Sequence, residues 1–233
     1  MVSVCMAVKN GSRFLTEQIE SILPQLTGDD ELIISDDHST DNTIELIKDF
    51  RDNRIKLLSN PNEGLISNFE NALQASCGTY IFLADQDDVW MPNKIEVMKK
   101  TLQSHDLAVC DCEIVDENLK CFQESFYQLN NSKKGLLHNL MQNSYMGCCM
   151  AFHRKILSKA LPFPRNIVVH DGWIGLISEL YFKKIFIPDK LVLHRKHNKN
   201  ASYTATRSKF SNLTKLAHRM VLVKNLISAH YAR

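Results

Sequence analysis

The chain has 233 residues, 44% hydrophobic and 23% charged, with few Gly and Pro, which fits one globular domain or one domain with an appendage and excludes a low-complexity linker. Its net charge of +2 hides a split: residues 190–233 hold ten Lys and Arg and no Asp or Glu, so residues 1–189 carry −8. The opening MVSVCMAVKNG lacks the basic start and long apolar run of a secretion signal, no stretch approaches the roughly 20 apolar residues of a membrane span, and a cytoplasmic protein is expected. Seven cysteines, among them Cys110-x-Cys112 and Cys148-Cys149, match no common zinc spacing and are expected as reduced, buried or half-buried thiols.

In chain order, residues 2–8 are short, apolar and partly β-branched, a buried strand. Residues 14–26 carry helical spacing through Leu15, Ile19, Ile22, Leu23 and Leu26. A second strand over 31–35 leads to a helix over 43–50, with Ser39, Thr40 and Asp41 as cap candidates. A third strand at 55–58, the turn NPNEG, and a helix over 65–76 stopped by Gly78 follow. The fourth strand covers 80–84, and Pro92 opens a helix reaching about 103. Strict β-α alternation with short connections predicts a parallel sheet covered by helices. Beyond it, strands are predicted at 107–115 and 145–152. A polar, irregular region spans 116–139, a helix 171–182, two short strands flank PDK within 185–194, and the end is helical.

In such sheets ligands bind beyond the carboxyl ends of the strands. The polar clusters KNGS, SDDHSTD and DQDD fall after strands one, two and four, so they converge on one crevice. Capping explains Asp41 or Ser39, but not Asp36 and Asp37 together, which suit a metal, a nucleobase or a ribose. Three carboxylates within four positions, Asp85, Asp87 and Asp88, repel one another unless something positive holds them. A D-x-D pair can hold Mg²⁺ or Mn²⁺ and leave coordination positions for phosphate oxygens, against the plainer alternative of a solvated acidic turn.

Together these residues resemble the family 2 glycosyltransferases, whose fold is the α/β GT-A fold: a Rossmann-like, mainly parallel sheet flanked by helices, here with a C-terminal helical extension. VSVCMAVKNGSRFLTEQIESIL is similar to the family's first strand, loop and helix, and LIISDDHSTDNT to its nucleotide motif. GTYIFLADQDDVWMPNKIE resembles the D-x-D segment of bacterial rhamnosyltransferase-like members. HDGWIGL falls where those members carry an acidic catalytic motif, and HRKHNKNAS where they carry a late basic one. The resemblance implies that Ala7, Val8, Asn10, Asp36 and Asp37 hold the nucleotide. It places Asp85 at the ribose or the metal shell, and Asp87 and His197 as metal ligands for Mn²⁺ or Mg²⁺. It makes Asp171 the general base, with His170 and Trp173 on the acceptor side. His194 is read as a metal or diphosphate contact beside His197. The domain is expected over 1–205, with a nucleotide-sugar half at 1–105 and an acceptor half at 106–205, followed by a basic helix over 206–233.

The reaction implied is inverting transfer of one sugar. The donor is a nucleoside-diphosphate sugar, dTDP-L-rhamnose or a UDP-hexose, and the acceptor a glycan or lipid-linked saccharide of bacterial surface polysaccharide synthesis. No processive Q-x-x-R-W segment is present. Two rival readings are an inactive sugar-nucleotide scaffold and a Mg²⁺-dependent phosphotransfer domain, although the latter needs an aspartate where AVKNG stands. The basic tail lacks the aromatic interleaving of single-strand binders, so no nucleic-acid partner is expected. Leu213, Leu216, Met220, Val223 and Ile227 form one helical stripe, read either as the face packed on the domain or as the apolar side of a basic helix on the anionic inner membrane face.

Overall fold

The computed structural model describes residues 1–198, 200 and 212–231. β1 (Val2–Val8) is buried along its whole length, as a strand covered on both faces must be. α1 (Leu15–Ile22) follows and tightens into a 3-10 turn at Leu23–Gln25, where Pro24 cannot continue the α-helical ladder. Then come β2 (Glu31–Asp36), α2 (Thr43–Asp49), β3 (Ile55–Ser59), α3 (Leu65–Ala75) and β4 (Tyr80–Asp85). A tight turn leads to β5 (Val89–Trp90) and α4 (Lys94–Leu102), which begins two residues after Pro92.

The second half holds β6 (Leu107–Val115), β7 (Cys121–Gln123), α5 (Phe126–Asn130), α6 (Leu136–Met141), β8 (Met150–His153), α7 (Leu157–Ala160), α8 (His170–Tyr181), β9 (Lys184–Arg195) and α9 (Asn212–Tyr231). Among the described residues one sheet runs β3-β2-β1-β4-β8-β6-β9-β5, with β7 on β6. β3, β2, β1 and β4 are parallel. β8 reverses the direction, pairing antiparallel with both β4 and β6, while β9 is parallel to β6. The parallel α/β half is therefore as expected, and the second half is mixed.

Two expected strands change shape. The one predicted over 145–152 is only β8; before it Gly147–Cys149 forms a 3-10 turn. The backbone groups there are claimed from outside the ladder. Asp171 Oδ2 accepts from Gly147 N–H at 2.9 Å, and Lys94 Nζ donates to the Cys148 carbonyl at 2.5 Å. The two short strands around PDK are one strand, β9, whose register against β6 shifts between Val109 and Asp111. The shift lies opposite Pro188, which has no N–H to give the ladder.

α9 packs on α6 and α8, burying Leu226 and partly burying Leu222 and Ala229. The stripe read from the sequence faces the other way: Leu216, Met220, Val223 and Ile227 are exposed. The expected domain boundary at 205/206 and the Leu213 side chain lie outside the described residues. Among the described residues no helix is long and apolar enough to cross a membrane.

Candidate active site

Strand register assembles the crevice. Ala7 lies between Ser35 of β2 and Asp85 of β4, and Val8 lies beside Asp36. The predicted clusters after β1, β2 and β4 therefore meet at one edge of the sheet.

The paired aspartates divide their work. Both Asp37 oxygens are engaged: Lys9 Nζ donates to it at 2.8 Å, Asn60 Nδ2 at 2.9 Å and Gly64 N at 3.0 Å. Burial alone would raise this carboxyl, but those donors hold it below the ordinary aspartate range. Asp37 thus anchors the loop before α3 through protein donors on both of its oxygens. Asp36 accepts from Ser39 N at 3.0 Å through Oδ2, while its buried Oδ1 has no protein partner. That oxygen is the one free to take a ligand hydroxyl or N–H. Asn10 adopts a left-handed backbone (φ 50°), and its side-chain oxygen accepts from Thr40 N at 2.8 Å. It braces the β1 loop against the β2 loop.

The turn after β4 points its carboxylates in different directions. Asp87 Oδ2 lies 2.7 Å from His197 Nε2 and 3.1 Å from Asn200 Nδ2. Asp88 is fully buried; its Oδ1 lies 2.9 Å from His194 Nδ1 and accepts from Arg195 N at 3.0 Å. Burial raises the Asp88 carboxyl, but the His194 charge together with the hydrogen bonds from His194, Arg195 N–H and Cys148 brings the group below its usual value. His194 is correspondingly raised by Asp88 against its own burial. Asp85 is half-buried, and burial followed by the charges of Asp88 and Asp87 pushes its carboxyl well up. A positive group among the three carboxylates is thus the protein's own His194, which lies against Asp88 and whose charge also acts to lower Asp85. This corrects the placement of His194 at a diphosphate.

Arg195 was legible only as one cation in a basic motif. It is buried, and it donates from Nε to the Asp87 carbonyl at 2.9 Å, from Nη1 to the Glu117 carbonyl at 2.5 Å and from Nη2 to Glu17 Oε2 at 2.5 Å. Its guanidinium lies 4.4 Å from the centroid of the Phe14 ring. Phe14, Glu17 and Asn200 lie in segments that resemble the family, but their contacts at this site were not legible, because Phe14 and Glu17 meet Arg195 and Asn200 meets Asp87 across more than a hundred positions.

Asp171 stands in the first turn of α8. Its Oδ2 takes the Gly147 N–H, its Oδ1 takes Gly172 N–H at 2.5 Å, and burial pushes the carboxyl up to about 6. Its bond to Gly147, in the 3-10 turn that packs on β4, brings it beside the strand that carries Asp85. α8 packs closely because Gly175 leaves room for Tyr145; a Cβ there would sit 2.2 Å from the ring. The two residues expected on the acceptor side do not line it. Trp173 is 2% exposed and its indole N–H donates to the Ala160 carbonyl at 2.9 Å. His170 is buried with its ring centroid 3.8 Å from that of Phe69, and burial lowers its pKa to about 3, so it is a neutral packing residue.

The profile of the family described as glycosyl transferase family 2 matches residues 3–161. The Escherichia coli UDP-Glc:alpha-D-GlcNAc-diphosphoundecaprenol beta-1,3-glucosyltransferase WfgD is 28% identical over 186 residues, which span 77% of this chain and 70% of that protein. The crystal structure of S. aureus TarS 1-349 with UDP-GlcNAc superposes with TM-score 0.70 at 15% identity, covering 99% of this chain and 72% of that one. Glucosyl-3-phosphoglycerate synthase from Mycobacterium tuberculosis, with Mn²⁺, UDP and glucosyl-3-phosphoglycerate, gives TM-score 0.60 at 18% identity over 98% and 79% of the two chains. A profile match across more than half the chain makes this chain a member of glycosyl transferase family 2, a glycosyltransferase, and its fold is the GT-A fold.

Proposed function

We propose that the enzyme transfers a single sugar, with inversion, from a nucleoside-diphosphate sugar to a hydroxyl of a saccharide acceptor. The observation that carries this reading is that register sets Asp36 and Asp85 at one sheet edge, with Asp87 in the turn just after β4 and Asp171 bonded to Gly147 in the 3-10 turn that packs on β4. Asp36 Oδ1 and the backbone at Ala7 and Val8 hold the base and ribose. Asp87 and His197 fit a hard divalent cation, Mn²⁺ or Mg²⁺: a carboxylate oxygen and an imidazole nitrogen face each other at 2.7 Å. Such a cation, when bound, supplies positive charge against the departing diphosphate. Asp171 takes the proton of the acceptor hydroxyl. A carboxyl raised to about 6 is a stronger base than an ordinary aspartate, yet is still ionised at neutral pH. Direct attack by the hydroxyl that Asp171 deprotonates is a single displacement.

A UDP-hexose is the donor that the relatives favour, with dTDP-L-rhamnose the competitor. WfgD acts on a diphosphoundecaprenol-linked sugar, and this chain's outward stripe on α9 suits an acceptor held at a membrane. α6, against which α9 packs, exposes Leu137 and Met141 as well. α9 carries Lys215, Arg219 and Lys224, and a cation near an anionic surface is worth about 1 kcal/mol, so α9 lies on the membrane face and sets the site beside its acceptor.

The test is thermal shift with UDP, dTDP, GDP and their sugars, with and without Mn²⁺, followed by turnover of the sugar nucleotide that stabilises most. Metal-dependent stabilisation by one nucleotide and release of that nucleoside diphosphate are expected. Stabilisation without turnover on any saccharide acceptor would make the chain a binding scaffold instead.

A further inference from the structure

Beside the Asp87–His197 pair, a second group of metal-ligating side chains converges. Asp85, Asp88, Cys148 and His194 each offer one ligand atom, and these atoms lie within 4.8 Å of one another. The two groups diverge because Asp87 turns toward His197 while Asp88 turns inward, to His194 on β9 and the 3-10 turn that carries Cys148. Cys148 and Asp88 are fully buried and His194 is 3% exposed. His194 Nδ1 lies 2.9 Å from Asp88 Oδ1 and 3.9 Å from Cys148 Sγ.

A separate observation points to a ligand. Asp88 Oδ2, on a side chain with no exposure, is buried without any hydrogen-bond partner. An orphaned buried polar atom is destabilising, so it calls for an explanation. The donor set decides the chemistry. A thiol and an imidazole among carboxylates suit a borderline-soft dication and not Mg²⁺.

We propose that Asp85, Asp88, Cys148 and His194 form a binding site for one thiophilic dication, Zn²⁺ by chemical class, distinct from the Asp87–His197 pair. Ligand atoms about 2.0–2.3 Å from a tetrahedral zinc lie roughly 3.3–3.8 Å from one another, so the widest separations, up to 4.8 Å, close by about 1–1.5 Å, while the His194–Asp88 pair at 2.9 Å opens by about 0.4 Å. On binding, the cation replaces the thiol proton of Cys148 and the ring proton between His194 and Asp88, and both leave to solvent. Asp85, half-buried at the crevice floor, is the way in. The bound ion ties the turn after β4, the turn before β8 and the end of β9 together.

The test titrates Zn²⁺ and Co²⁺ into the full chain without nucleotide. One tightly bound equivalent of Zn²⁺ is expected. Co²⁺ should give a near-ultraviolet thiolate-to-cobalt charge-transfer band that Zn²⁺ abolishes. Cys148→Ser should erase the band and weaken Zn²⁺ by at least about tenfold. Cys149→Ser and Asp87→Asn should keep both. No band in the unsubstituted protein overturns the site, and that measurement needs no variant to fold. Survival of the band in Cys148→Ser, or its loss in Asp87→Asn, overturns it equally.

Discussion

His197 Nε2 lies 2.7 Å from Asp87 Oδ2, across 110 residues of sequence. Asn200 closes the same contact from both sides, with Nδ2 on Asp87 and Oδ1 accepting from the His197 backbone N–H at 2.6 Å. The late basic segment is thereby held over the turn after β4.

Asp87→Asn and His197→Ala should each abolish divalent-dependent transfer while the fold persists. A metal's charge stabilisation is worth several kcal/mol, so a loss of about 10³-fold or more in kcat is expected. Circular dichroism and turnover across a Mn²⁺ series check this. Parent-like metal dependence in both variants would remove these residues from the metal site.

Asp171→Asn should lower kcat by roughly 10²–10⁴ and leave donor binding near its parent value. The parent's kcat/KM should fall as pH drops below about 6, where Asp171 takes a proton, and level off above it. A flat profile from pH 5 to 8, or loss of donor binding in place of kcat, contradicts the base assignment.

The same carboxyl has a stability signature of opposite sign. Its folded pKa of about 6 is raised above the ordinary 3.8, so its favourable contribution is full below about pH 4 and is lost as pH rises through 6. Asparagine does not titrate. Asp171→Asn should therefore gain stability over the parent between pH 4.5 and 7.5, on the order of 1 kcal/mol after solvent screening. Urea midpoints at the two pH values measure it; a difference that stays constant or shrinks toward pH 7.5 refutes the raised pKa.

Asp36→Asn and Asp37→Asn should separate binding from folding. Asp37 is held below its usual pKa, so its contribution is present above about pH 4 and is lost as pH falls through the lower folded value. Asp37→Asn should cost about 1–2 kcal/mol at pH 7, because its Lys9, Asn60 and Gly64 donors lose a charged acceptor. Asp36→Asn should instead raise the donor KM with little change in the urea midpoint. Equal midpoints for the two variants would show that the aspartates do not divide their work.

Sedimentation with anionic and neutral vesicles, at low and high salt, tests the outward stripe of α9. Met220→Glu with Ile227→Glu should end binding to anionic vesicles without unfolding the chain, since both side chains are exposed. Binding that ignores salt or survives the double substitution would leave α9 a purely structural helix.

Local pattern alone specified the alternation from β1 to α4, because buried strands and amphipathic helices differ in period and Gly78 and Pro92 mark their limits. The same short-range grammar displayed SDDHSTD, DQDD and HDGW, which is why the crevice and its family were legible before any contact was known. Direction was not legible. Whether Asp37 faces ligand or Lys9, and whether Arg195 faces diphosphate or Glu17, depends on which distant backbone arrives beside it. Trp173 and His170 look like acceptor contacts beside Asp171, yet the 3.6-residue turn of α8 rotates them into the core while leaving Asp171 at the crevice. On α9 the more conspicuous stripe is the outward one, because helical period reports an apolar face but not the presence of a neighbour, and only the packing of α6 and α8 selects Leu222 and Leu226. Spacing is local and is written in the chain. Which of several plausible partners a side chain meets is settled by long-range register, which exists only once the sheet has formed.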